Sequence, residues 1–220
     1  MNRAVSWFCK IFLAPLIKKL FIKEVLGSEN IPQRNFILAS NHQSHLDQIV
    51  TGYICIPRRF HMIGQTDRYR GLTKVFLYIL YFIAGVIPVN RKKQESRKKA
   101  TKEAIENLRK GDVLIIYPEG TRTRTGEMGE GRFGVAKIFL ATGVPILPVG
   151  IKGVFKLLPP GGKLKIKKII TINIGQPLYF KESFERSKNL SEDSEEYKEM
   201  LLKITNTTME KIAALGAEIN

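Results

Sequence analysis

Short apolar runs separated by longer segments of helical spacing make up most of this chain. Residues 36–40, 60–63, 86–89, 113–117 and 146–149 are brief runs rich in Ile, Val, Leu and Phe. Their continuous apolar character predicts strands, several of them buried on both faces. Between them, 47–56, 72–83, 97–110 and 134–142 predict helices. In 97–110, for example, Ala100, Ala104, Ile105 and Leu108 share one face and charged residues fill the other. Gly111 and Gly143 stop two of these segments. Residues 27–35 read as a loop, 165–169 and 170–174 as further strand material, and 191–215 as a closing amphipathic helix. At the N-terminus, 4–23 predicts a helix whose apolar residues are interrupted by Lys10, Lys18, Lys19 and Lys23. The expected fold is α/β: a mixed, largely parallel sheet covered by helices on both faces, preceded by an N-terminal amphipathic helical segment. Two units are expected, the segment 1–28 and an α/β domain 29–220. Ligands on such sheets sit in loops beyond the carboxyl ends of strands.

The charge balance adds a partner class. Among 220 residues, 36 Lys and Arg stand against 20 Asp and Glu, a net charge of +16. That suits a polyanion: nucleic acid, an anionic membrane surface or a phosphorylated substrate. Aromatic–basic interleaving is poor and no nucleic-acid motif occurs, so no nucleic-acid partner is expected. Two cysteines, Cys9 and Cys55, without C-x-x-C spacing argue against a disulfide framework or zinc site and fit a reducing compartment. No segment reaches the ~20 apolar residues of a spanning helix; the uncharged stretch 75–90 is interrupted by Gly85 and Pro88. The N-terminal segment lacks the apolar run and cleavage site of a secretory signal. Its lysines beside a broad apolar face with Trp7 suit a helix lying in a membrane interface, and packing onto the core is the alternative. One helix has two faces, so the two are compatible. The expected location is the cytoplasmic face of a membrane, peripheral or monotopic through this segment.

Candidate chemistry begins where the run 36–39 meets Asn41-His42-Gln43-Ser44-His45-Leu46-Asp47. A neutral imidazole takes a proton from a hydroxyl only if its other nitrogen is held in the right tautomer, and a nearby carboxylate does that. His42 and Asp47 therefore read as a general base and its orienting partner, or as a helix cap and a satisfied loop. No nucleophile elbow follows, so the activated hydroxyl belongs to a substrate. A ligand cluster of His42, His45 and Asp47 lacks a further nearby histidine, and no metal is expected. Tyr117-Pro118-Glu119-Gly120-Thr121-Arg122 follows the run 113–117. Gly120 lets the backbone approach a ligand, and Arg122 can grip a phosphate bidentately. Glu119 would accept from substrate hydroxyls or brace Arg122; a tight turn with a surface ion pair is the alternative. The run 86–89 likewise ends on an arginine, Arg91, where a solvated side chain is the plain reading.

The order of these parts is informative. His-x4-Asp, a strand ending in arginine, Glu-Gly-Thr-Arg and Val144-Pro145-Ile146-Leu147-Pro148-Val149 together resemble the glycerolipid acyltransferase family, most closely its lysophosphatidic acid acyltransferases. The resemblance covers about residues 36–149. It implies transfer of an acyl group from a thioester donor, carried by coenzyme A or acyl carrier protein, to the free hydroxyl of lysophosphatidic acid, with no cofactor. It further implies His42 as base, Asp47 as its partner, and Arg91 and Arg122 as phosphate ligands, with Glu119, Gly120 and Thr121 of the same block at the acceptor site. Three departures stand out. Asn90 precedes Arg91 where relatives often have an acidic residue. Gly64-Gln65-Thr66-Asp67-Arg68 replaces a lysine-bearing segment, with Arg68 and Arg70 nearby. Gly131-Arg132-Phe133-Gly134 replaces Phe-Lys-x-Gly, with Arg132 supplying the charge. These leave open another lysolipid or an amine-bearing acceptor; a non-catalytic basic membrane-binding protein is the remaining alternative. Residues 75–83 read as core or as lining for an acyl chain, and 126–131 as a mobile loop, a lid or an idle surface loop.

Overall fold

Ile37-Leu38-Ala39-Ser40 offers no polar face to solvent, and its four residues are buried as strand β2 (Ile37–Ser40) near the middle of a sheet. The computed structural model describes residues 3–66, 75, 78, 81 and 83–216. Among these, the other strands are β1 (Ile22–Leu26), β3 (Phe60–Gln65), β4 (Val86–Val89), β5 (Val113–Ile116), β6 (Ile146–Lys152) and β7 (Ile170–Ile174). They form one seven-stranded sheet in the order β1-β7-β6-β2-β5-β3-β4. Strands β2 to β6 are mutually parallel, β7 runs antiparallel to β6, and β1 is parallel to β7. The sheet is thus mixed and largely parallel.

Side chains alternate across it with the period of two that a strand dictates. Ile37 and Ala39 face one core with Ile87, Val89 and Leu114. Helices α4 (Gln94–Arg109), α5 (Gly134–Thr142) and α8 (Glu195–Ala214) cover that side. Phe36 and Leu38 face the second core, covered by α3 (Leu46–Cys55) and the N-terminal helices. Those are α1 (Arg3–Phe8) and α2 (Ala14–Leu20), joined by a wider π turn at Cys9–Leu13. Val5, Cys9 and Ile17 pack against this core, whereas Trp7, Phe8, Ile11, Phe12, Leu13 and Leu16 are exposed. Burial raises the thiol pKa of both Cys9 and Cys55, and both are free. No helix among the described residues is long and apolar enough to cross a membrane.

The structure departs from the sequence reading in several places. The N-terminal helix expected to reach Lys23 stops at Leu20. Ile22–Leu26 becomes an edge strand because β7 offers it a parallel partner, with Ile22 opposite Ile170. Only 170–174 of the expected C-terminal strand material pairs; 165–169 lies outside the sheet. Two short helices, α6 (Val154–Leu157) and α7 (Lys181–Ser187), were not anticipated. Most of the expected helix 72–83 falls outside the described residues. Its described members Val75, Tyr78, Tyr81 and Ile83 are helical, and Val75, Tyr78 and Ile83 are exposed rather than core.

Candidate active site

Asn41 turns the chain out of β2. Its side chain mimics a further ladder pair, donating to Ile151 O and accepting from Ile151 N, both at 2.9 Å. His42 follows at the carboxyl end of the strand. The first turn of α3 brings Asp47 back beneath it, and His42 Nδ1 lies 2.8 Å from Asp47 Oδ2. The same oxygen accepts the main-chain N–H groups of Gln43 at 2.6 Å and Ser44 at 2.7 Å. An oxygen already taking two donors faces Nδ1, so Nδ1 carries the ring proton and Nε2 is the lone-pair nitrogen. Asp47 is fully buried and His42 nearly so.

Tyr117 stacks on the imidazole, with ring centroids 4.1 Å apart and planes 12° from parallel. Thr51 Oγ1 donates to Asp47 O at 2.8 Å and accepts from Tyr117 Oη, also at 2.8 Å. Burial, reinforced by the Asp47 charge, pushes the Tyr117 phenol well above its usual range and keeps it a donor. The ring of His42 is thus fixed from its edge and from its face.

Glu119 has a different place from the one its motif suggests. It is buried, and one carboxylate oxygen accepts His42 N at 2.7 Å while the other accepts Gly129 N at 2.8 Å. Rather than lining the main cavity or bracing Arg122, it ties the His42 loop to the glycine-bearing loop beyond Arg122. Burial raises its pKa to about 7, the two N–H donors lower it, and the Asp47 charge adds to the rise. Two more bonds hold the same loops together: Gln43 Nε2 donates to Gly126 O at 2.6 Å, and Thr123 N to His42 O at 2.9 Å. The 126–131 loop is therefore tied to the His42 loop at Gly126, through Gln43, and at Gly129, through Glu119.

A cavity of about 310 Å³ opens beside the imidazole. Among the described residues, His42, Gly120, Arg91, Arg122 and Arg132 line it, and no Asp or Glu side chain does so. Thr121 is exposed and faces a separate groove with Glu119 and Gly129. Gly120, at φ +69°, sits where a Cβ would lie 3.0 Å from Arg132 Cδ. Arg97 also lines the cavity, together with Ala100 and Thr101 of the same helix face. Sequence reasoning missed it, although the spacing of 97, 100 and 101 was a usable signal. Gly64 and Gln65 reach the wall as well. A Cβ on Gly64 would sit 2.4 Å from Val86 Cγ1 and 2.8 Å from the Tyr81 ring, so the close packing there requires glycine. Asp67, Arg68 and Arg70 lie outside the described residues. Ile63, Ile115, Ile116 and Val135 supply apolar wall, and the amino end of α5 points Gly134 at the space. A helix amino terminus adds partial positive charge to that of the arginines. Among the described residues no group of three His, Cys, Asp or Glu side chains converges as a metal site.

A second histidine–aspartate pair, His61 Nε2 and Asp112 Oδ2 at 3.0 Å, sits at the opposite end of the sheet. It lines no part of this cavity.

The acyltransferase family model matches residues 23–152. A 1-acyl-sn-glycerol-3-phosphate acyltransferase of Borreliella burgdorferi is 37% identical over 57% of this chain and 49% of its own length. A chloroplastic enzyme of that description from Brassica napus is 26% identical over 71% of this chain and 45% of its own. The chain thus spans about half the length of these curated relatives. The crystal structure of the 1-acyl-sn-glycerophosphate acyltransferase PlsC from Thermotoga maritima matches with a TM-score of 0.64 and 29% identity, over 96% of this chain and 82% of that one. With the family match extending from β1 to the end of β6, across the His42 loop, the Glu-Gly-Thr-Arg loop and most of the sheet, this chain belongs to the acyltransferase family.

Proposed function

We propose that the chain transfers a fatty acyl group from an acyl thioester to the free sn-2 hydroxyl of lysophosphatidic acid, giving phosphatidic acid. One observation carries this reading: an imidazole whose Nδ1 is held by Asp47 at 2.8 Å stands on the wall of a cavity lined by Arg91, Arg97, Arg122 and Arg132. A base beside concentrated positive charge suits a hydroxyl attached to a phosphate.

In the proposed reaction His42 Nε2 takes the hydroxyl proton as the oxygen attacks the thioester carbonyl. Asp47 stabilises the imidazolium that forms. The tetrahedral intermediate then collapses, the carbon–sulfur bond breaks, and Nε2–H returns the proton to the departing thiolate. General-base help of this kind is worth about 10²–10⁴-fold, or roughly 3–5 kcal/mol of barrier. The arginines hold the phosphate and so fix the hydroxyl near the base, a positioning effect of similar or larger size. The names of the Brassica napus and Borreliella burgdorferi relatives, both 1-acyl-sn-glycerol-3-phosphate acyltransferases, support the same acceptor. Coenzyme A and acyl carrier protein are both suitable carriers of the donor, and no cofactor or metal enters the scheme. The exposed apolar face of α1 and α2, with Lys10, Lys18 and Lys19, supports peripheral attachment to an anionic membrane at its cytoplasmic face.

The test offers lysophosphatidic acid and a long-chain acyl thioester to purified protein and follows free thiol. His42→Ala should lower turnover at least 100-fold while the circular dichroism spectrum is unchanged. Turnover within threefold of wild type would refute the base assignment.

A further inference from the structure

The segment between α6 and β7 carries a pattern that the fold leaves unused. Lys163-Leu164-Lys165-Ile166-Lys167-Lys168 alternates basic and apolar residues as a half-buried strand would, yet it lies outside the sheet. All six residues are exposed, Leu164 at 49% and Ile166 at 67%. The latter is the highest exposure of any large apolar side chain among the described residues. None of the four lysines is engaged in an ion pair among those residues.

Its position gives the pattern meaning. Because β7 runs antiparallel to β6, the segment leading into β7 lies at the carboxyl end of β6, where Ile151 holds Asn41. Ser44 Oγ, on the His42 loop, donates to Leu158 O at 2.7 Å, and Lys165 N donates to Leu157 O at 2.9 Å. On the other side, Ile170 N donates to Phe21 O at 2.8 Å, just beyond the end of α2. The catalytic loop, the end of α2 with Lys18 and Lys19, and the Lys163–Lys168 run therefore share one rim of the sheet.

We propose that residues 162–168 form a second lipid-contact element, which seats the His42 rim against an anionic bilayer alongside the N-terminal helices. Apolar side chains interleaved with lysines match the boundary between acyl chains and anionic headgroups. Nucleic acid would engage the lysines but gives no reason to expose Leu164 and Ile166. A second copy of the chain would need about 800 Å² of complementary surface per partner, far more than two side chains supply. The inference goes beyond the acyl-transfer reading. Its test reads binding alone, so either can fail without the other.

The full chain is sedimented with vesicles of phosphatidylglycerol or of phosphatidylcholine alone. The double variant Leu164→Ser, Ile166→Ser should bind phosphatidylglycerol vesicles about tenfold more weakly. Each of Lys163→Gln and Lys165→Gln should cost about fivefold there and little on neutral vesicles. Leu202→Ser, exposed on α8, should bind as wild type does. Independently, Ile166→Trp in a Trp7→Phe background should shift its emission to the blue with phosphatidylglycerol vesicles. Circular dichroism and turnover of detergent-dispersed acceptor should be unaltered in every variant. Unchanged vesicle binding by the double variant, or an unshifted Ile166→Trp emission, overturns the proposal. An emission shift produced by duplex DNA and not by vesicles, or loss of a dimer in the double variant, overturns it equally.

Discussion

Glu119→Gln separates a structural tie from a substrate ligand. Each carboxylate oxygen of Glu119 now accepts one main-chain N–H, from His42 at 2.7 Å and from Gly129 at 2.8 Å. Glutamine has a single acceptor and must turn its NH2 toward the other donor, losing a charge-assisted bond worth about 1.5–3 kcal/mol. Burial acts in the opposite sense. With its pKa raised to about 7 in the fold, Glu119 binds its proton more tightly in the native state than in the unfolded chain. Native stability therefore falls as pH climbs from the ordinary carboxyl range through about 7, and glutamine has no such slope. From pH 5 to pH 8 the stability of the variant relative to wild type should rise by roughly 2–3 kcal/mol. Urea unfolding at the two pH values measures this directly, and parallel stability curves would refute the burial argument. In turnover assays the loosened His42 loop should lower kcat about tenfold, equivalent to roughly 1.4 kcal/mol of lost positioning, with acceptor KM within twofold. A tenfold rise in acceptor KM at unchanged kcat would place Glu119 against the substrate and sink the positioning role.

Asp47→Asn should lower kcat about 10- to 100-fold, because a neutral amide stabilises the imidazolium by about 1.5–3 kcal/mol less, while acceptor KM moves little. Equal activity of the two proteins would remove Asp47 from the mechanism. Arg97→Ala should raise acceptor KM about fivefold and Arg122→Ala at least as much, with kcat retained. The comparison is made with phosphate-bearing acceptors and with phosphate-free monoacylglycerol, for which the arginines should be indifferent. Gly131→Ala should lower Tm by several degrees, about 1–2 kcal/mol of overpacking. Its Cβ would lie 2.6 Å from Met209 Cγ and 2.8 Å from Thr205 Cγ2. A thermal scan in which the variant melts with wild type would show that α8 yields at no cost.

Much of this architecture is local and was legible in the chain. Continuous apolar runs at 86–89 and 113–116 form strands wherever they are buried, and β4 matches the predicted run end to end. Helix 97–110 emerged as Gln94–Arg109 because its spacing of apolar residues leaves only one face to bury. His42, Arg91 and Arg122 could be singled out since each follows a strand end, and parallel strands deliver their carboxyl ends to one rim. Pairing with distant segments was not legible. Ile22–Leu26 reads as the tail of a helix until β7 is beside it, whereas 165–169 reads as a strand although no strand among the described residues pairs with it.

The sequence by itself determined which residue types stand at the strand ends, the excess of cationic over anionic side chains, and the α/β alternation, all of which follow from local spacing. Tertiary structure alone decided which paired histidine stands on the wall of the arginine-lined cavity, His42 (with Asp47) rather than His61 (with Asp112) at the far end of the sheet. It also turned Glu119 inward onto two main-chain N–H groups and brought Arg97 into the wall beside Arg122. The physical reason is that spacing along a chain fixes only near neighbours. Contacts across tens of residues depend on strand order and helix docking, which cooperative packing of the whole core selects.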